Sequence, residues 1–222
     1  MEGRILIQEA ALMFELMCFG DSNTWGYAPR TGDRYPRSVR WTGVLQASLG
    51  SDFLVIEEGL NGRTTVWEDQ VEGDKMGKRH LLPCLHSHAP LDLVILLLGT
   101  NDLKKRYSAP PCDIAAGAGV LMDIVLTSGA GKAGAPPAIL LLAPPPLAAS
   151  STTAFGGMFE GGAEKSRELG KLYREAARLR GCSFIDTGAI IKSSEIDGIH
   201  LDEREHQALG QAVAREVRRL AR

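Results

Sequence analysis

Short apolar runs alternate with longer amphipathic stretches along this chain of 222 residues. Residues 14–19 form an apolar run closed by Gly20, which predicts a first strand. In residues 40–49, Trp41, Val44, Leu45 and Leu49 share one helical face, and Gly50 supplies a stop. Residues 53–56 read as a second strand. Residues 91–98 are nearly all apolar, as a central parallel strand covered on both faces should be. A helix is predicted over 112–128, with Ile114, Val120, Leu121, Ile124 and Val125 as its stripe. Residues 138–143 form the next strand, stopped by Pro144, Pro145 and Pro146. Residues 164–179 place Leu169, Leu172, Tyr173, Ala176 and Leu179 at helical spacing. Residues 183–185 resume strand. A last helix starts near Asp202, where Glu205 completes a capping-box pair, and it buries Leu209, Val213, Val217 and Leu220.

This alternation argues for an α/β fold: a three-layer α/β/α sandwich with a central, mostly parallel sheet. No repeat or inter-domain linker interrupts it. Residues 14–222 are expected to form one domain, and residues 1–13 an N-terminal extension of uncertain role. The connections 26–39, 61–80 and 144–160 are long for a compact domain, and such loops tend to carry function.

Composition narrows the classes. At 44% hydrophobic and 23% charged, the chain is an ordinary globular one rather than a disordered one. Twenty-five Lys+Arg against 27 Asp+Glu leave a net charge of −2, without the basic excess that gripping nucleic acid requires. No apolar run approaches the ~20 residues of a spanning helix. Glu2, Gln8, Glu9 and Glu15 spoil a secretion signal. Cys18, Cys84, Cys112 and Cys182 form neither C-x-x-C nor a zinc knuckle, and Cys18 and Cys182 fall in core-like stretches. Reduced thiols in a cytoplasmic protein are expected, with no membrane or nucleic-acid partner.

The candidate chemistry follows the strands. In open α/β sheets ligands bind beyond the carboxyl ends of the strands. Gly20-Asp21-Ser22-Asn23 follows the first strand, Gly59-Leu60-Asn61-Gly62-Arg63 the second, Gly99-Thr100-Asn101-Asp102 the central one, and Asp197-Gly198-Ile199-His200 the last. A serine needs a base to take its proton. His200 has a carboxylate, Asp197, three residues earlier, within reach in a helical turn. The N–H groups of Ser22 and Gly62 and the amide of Asn101 are candidate oxyanion donors. Each piece has a plain alternative. Ser22 and Asn101 could be helix caps, Gly62 a turn residue and His200 structural. The ordered conjunction is what favours a site.

These four blocks resemble the signatures of the SGNH (GDSL-type) hydrolases. The strings Cys18-Phe19-Gly20-Asp21-Ser22-Asn23-Thr24-Trp25-Gly26, Arg40-Trp41-Thr42-Gly43 and Glu57-Glu58-Gly59-Leu60-Asn61-Gly62-Arg63 are similar to the bacterial arylesterase/acyltransferase branch, as is Phe159-Glu160-Gly161-Gly162. The resemblance implies a flavodoxin-like fold with a five-stranded sheet, a Ser22–His200–Asp197 triad, and an oxyanion hole from Ser22, Gly62 and Asn101. It implies hydrolysis of short-chain aryl or acetyl esters as small-molecule substrates, and acyl transfer to alcohols or peroxide. A carbohydrate O-acetyl esterase is the alternative on the same scaffold. It also implies a homo-oligomer, an octamer in some members, and no cofactor.

Further candidates are weaker. Trp25, Thr100, Lys104, Phe155, Phe159 and Ile199 are expected to line the substrate pocket, with a core or interface role as the alternative for Trp25. Asp21 and Asp102 are expected to brace turns. His86 and His88 lack a third ligand at metal-binding spacing, so no metal is expected. Gly129-Ala130-Gly131-Lys132 lacks the phosphate-loop pattern and follows a helix.

Overall fold

The computed structural model describes residues 13–222. Of the extension expected over residues 1–13, only Met13 falls within it. The rest lies outside the described residues. The strands are β1 (Phe14–Gly20), β2 (Phe53–Gly59), β3 (Leu93–Leu97), β4 (Ala138–Ala143) and β5 (Ser183–Asp186). All four neighbouring pairs are parallel, in the order β2-β1-β3-β4-β5. The helices are α1 (Ser22–Trp25), α2 (Trp41–Leu49), α3 (Gly77–Ser87), α4 (Pro111–Thr127), α5 (Gly162–Leu179) and α6 (Glu203–Leu220).

The period of two along each strand divides the core into two layers. Met17 and Phe19 of β1 and Val94 and Leu96 of β3 face α3, α4 and α5, where Leu85, Leu121 and Tyr173 meet them. Leu16 and Cys18, with Leu93, Ile95 and Leu97, face α2 and α6, against Trp41, Leu45, Leu209 and Val213. A strand apolar at every position is therefore what this architecture demands of β3.

The structure corrects several expectations. The connection 61–80 runs into α3, whose interior Pro83 and two buried leucines, Leu81 and Leu85, give only a faint helical signature. Leu179 stands exposed at the end of α5, and the buried stripe continues from Tyr173 to Ala177 instead of Ala176. The capping box at α6 does not form. Asp202 makes no side-chain bond to the helix and instead accepts the Ser194 hydroxyl at 3.0 Å. Cys18 is buried, and burial pushes its thiol up; Cys182 is half-buried just ahead of β5.

Candidate active site

Strand β1 lies between β2 and β3, so successive connections leave it in opposite directions and open a crevice at its carboxyl end. Ser22 sits in that crevice, at the first position of α1. Asp21 caps the helix, accepting the Asn23 N–H at 2.9 Å. Gly20 lets the strand and helix meet closely. A Cβ there would stand 2.0 Å from Thr24 Oγ1 and 2.9 Å from the Leu97 carbonyl. Any side chain at residue 20 would displace Ser22.

His200 comes to Ser22 from the far end of the chain. Its Nε2 lies 2.9 Å from Ser22 Oγ, and its Nδ1 lies 2.7 Å from Asp197 Oδ2. The i, i+3 spacing is not a helical turn, as the sequence had suggested. Asp197 Oδ1 accepts the N–H groups of Ile199 at 2.9 Å and His200 at 3.0 Å, so the carboxylate folds the turn around itself. Burial pushes the Asp197 carboxyl up, but the His200 bond and charge and the two backbone donors outweigh it and hold it below the ordinary carboxylate range. The Asn23 amide ties this turn to α1 through the Ile199 carbonyl, at 3.4 Å.

Gly62 and Asn101 complete the crevice. Gly62 has φ +81°, and a Cβ there would meet Glu72 Oε2 at 2.4 Å. Asn101 Nδ2 donates to the Arg63 carbonyl at 3.1 Å. An amide nitrogen carries two hydrogens, so one remains for the pocket. Buried Arg63 fixes this corner, with its guanidinium 4.0 Å over the Phe19 ring and a 2.9 Å bond to the Gly20 carbonyl. Asp21 and Asp102 are both buried, and burial pushes them up to about 6 and about 7. Asp102 braces the facing loop, since both its oxygens accept the Thr65 N–H at 3.1 Å.

The pocket over these groups holds about 260 Å³. Of the expected lining residues, Lys104, Phe155, Phe159 and Ile199 face it along with Ser22, Gly62, Asn101 and His200. Trp25 and Thr100 do not. Gly26 ends α1 in the left-handed region and turns the chain, and the half-buried Trp25 ring lies under the Arg34 guanidinium at 5.2 Å, away from the lining. Thr100 is buried and is not part of the lining. Tyr27 takes the place expected of Trp25. Its ring stacks on the His200 imidazole at 4.1 Å and 26°, and Phe155 presents an edge to that imidazole at 6.0 Å. Sequence reasoning also missed Asn61, Glu72 and Met158 in the lining. A glycine at 26, a residue type that tolerates the left-handed turn found there, was the available signal for Tyr27. Glu72 had none, because its loop carries no periodicity.

His88 Nε2 pairs with Glu58 at 2.9 Å, while His86 Nε2 meets the Ser128 carbonyl, so the two histidines serve separate neighbours. Among the described residues no group of three His, Cys, Asp or Glu side chains is placed to hold a metal ion. Among the described residues, no helix is long and apolar enough to cross a membrane.

Residues 18–208 match the GDSL-like Lipase/Acylhydrolase family. The aryl esterase of M. smegmatis is similar in structure, with a TM-score of 0.89 and 44% identity over 93% of this chain and 99% of that one. A carbohydrate acetylesterase from Sinorhizobium meliloti matches at a TM-score of 0.88, with 44% identity over 93% of this chain and 99% of that one. No protein with a curated description matches the chain.

Proposed function

The chain belongs to the GDSL-like lipase/acylhydrolase family, and from that premise we propose a serine esterase that cleaves small aryl or acetyl esters through an acyl-enzyme on Ser22. The observation that carries the proposal is the pair of contacts on one imidazole, 2.9 Å to the Ser22 hydroxyl and 2.7 Å to the Asp197 carboxylate. In this reading Ser22 Oγ attacks the ester carbonyl while His200 Nε2 takes its proton, and Asp197 holds the other ring N–H and the positive charge. The carbonyl oxygen becomes an oxyanion facing the N–H groups of Ser22 and Gly62 and the Asn101 amide. His200 then protonates the departing alcohol. Water, or a second alcohol, attacks the acyl-enzyme through the same base and restores Ser22.

The tyrosine and phenylalanine rings around His200 support an aryl leaving group, since the departing oxygen must come within reach of Nε2. The similarity to a carbohydrate acetylesterase supports the second reading, an acetyl group on a sugar. Rates on phenyl acetate and on an acetylated sugar separate the two. Four cysteines without disulfides support a cytoplasmic setting. Homo-oligomeric assembly is part of the proposal and is read by light scattering.

Ser22→Ala should lower kcat on p-nitrophenyl acetate by about 10³-fold or more. Hydrolysis at the wild-type rate would overturn the assignment.

A further inference from the structure

The pocket is not uniformly neutral. Beyond Gly62 its wall is built from a buried ion cluster that the proposed reaction does not use. Asp69, fully buried, folds the loop around itself. Its Oδ1 accepts the N–H groups of Val71 at 2.9 Å and Glu72 at 3.0 Å, and the Arg106 guanidinium at 2.8 Å. Its Oδ2 accepts the Tyr107 hydroxyl at 2.7 Å and Lys104 Nζ at 3.2 Å. Burial pushes the Asp69 carboxyl up, but these donors together hold it well below the carboxylate range. The loop so fixed delivers Glu72 to the pocket. Its Oε1 lies 2.5 Å from Lys104 Nζ and 3.8 Å from the Arg106 guanidinium. Its Oε2 lies against Gly62, where it would meet a Cβ at 2.4 Å.

A carboxylate is thus held against the backbone whose N–H is offered to the oxyanion. Alone, it would repel the negative charge that develops there. At the separations within one pocket and a protein-like dielectric, such repulsion slows a step by about tenfold to hundredfold. Lys104, with only 2% of its side chain exposed, stands directly on that carboxylate. We infer that Lys104 is a positioning residue for the oxyanion site: by neutralising Glu72 it keeps uncompensated negative charge away from the Gly62 donor. The inference rests on the esterase reading of Ser22, Gly62 and Asn101.

The test is a double-substitution cycle of Lys104→Met, Glu72→Gln and the pair, on the full chain. Two rates are read: kcat and KM on p-nitrophenyl acetate, and phosphonylation of Ser22 by a fluorophosphonate, which develops the same oxygen charge without ester turnover. K104M should lose about tenfold to hundredfold in kcat with KM changed less than about threefold. Adding E72Q should restore most of that loss, because the offending charge is gone. E72Q alone should raise kcat about two- to fivefold. A merely structural cluster gives the reverse pattern, with the double variant at least as impaired as K104M and E72Q slower than wild type. That result overturns the inference. If K104M does not fold, the sign of the E72Q effect decides alone. Ser22→Ala separates the two levels. Loss of activity there together with the reverse pattern removes only the role of Lys104, whereas activity retained in S22A removes the esterase reading itself.

Discussion

The turn that carries His200 and the first turns of α6 that carry His206 bury two histidines six positions apart, and burial produces opposite chemistry in them. His200 is 6% exposed and has an anion on one nitrogen and a hydroxyl on the other. His206 is 0% exposed, accepts the Trp41 N–H on Nδ1 at 3.2 Å, and leaves Nε2 without a partner among the described residues. Burial, then the proximity of His200 and the Arg40 guanidinium, drive the His206 imidazole down to about 3. It stays neutral at any ordinary pH and serves as an acceptor for the Trp41 N–H. The contrast teaches that enclosure beside other cationic groups silences a histidine. What sets His200 apart is its partners, a carboxylate on Nδ1 and a hydroxyl on Nε2.

The largest effect should come from removing that carboxylate's charge. Asp197→Asn keeps the shape but favours the wrong tautomer of His200, and kcat should fall by about 10³–10⁴-fold. Steady-state rates on an aryl acetate read this directly. An unchanged kcat would mean that His200 needs its anion no more than His206 does.

The next effect concerns stability. The unfolded chain takes a proton at residue 206 near pH 6.5, whereas the folded chain refuses it down to about 3. The contribution of this group is therefore complete above about pH 6.5 and lost as the pH falls towards 3. His206→Gln has no titrating group at this position. The stability difference between wild type and variant should shift against the wild type by on the order of 3 kcal/mol between pH 7 and pH 4. Asp21 and Asp102 titrate in the same window, but both proteins share them, so they cancel. Urea midpoints across that range supply the measurement, and a constant difference would count against a neutral, enclosed His206.

The smallest effect distinguishes the aromatic neighbours. Tyr27 lies flat on His200, whereas Tyr35 meets His206 edge-on at 5.4 Å. Tyr27→Leu should cost about three- to tenfold in kcat, with recovery in Tyr27→Phe. Tyr35→Leu should move the melting midpoint and leave kcat alone. Equal kcat losses in both leucine variants would erase the distinction.

Much of this architecture was readable in the sequence, for physical reasons. β3 announces itself because burial on both faces leaves no polar position, and α2 because Trp41, Val44, Leu45 and Leu49 recur at helical spacing. Ser22, Gly62 and Asn101 stand out because each follows a strand end, where a parallel sheet presents its ligand edge, whereas Asp197 and His200 lie well past the end of β5 at Asp186 and stand out by their i, i+3 pairing. The pocket walls were not readable in the same way. Trp25 is singled out by its nearness to Ser22 along the chain, whereas the left-handed Gly26 turns the backbone and it is Tyr27, not considered from the sequence, that stacks on His200. Glu72 enters through a loop folded by a buried aspartate, an arrangement without period or motif. Lys104 could be placed near the mouth but not paired, since its partners lie 32 and 35 residues away.

The proposed nucleophile and its base are separated by 178 positions along the backbone, and the sheet that unites them contains no adjacent hairpin. Parallel strands meet only after a crossover has closed, so such contacts form late and slowly. Catalytic competence is thereby tied to completion of the tertiary structure. Turnover recovered after dilution from denaturant would serve as a clock for the final ordering event, lagging behind the return of helical circular dichroism.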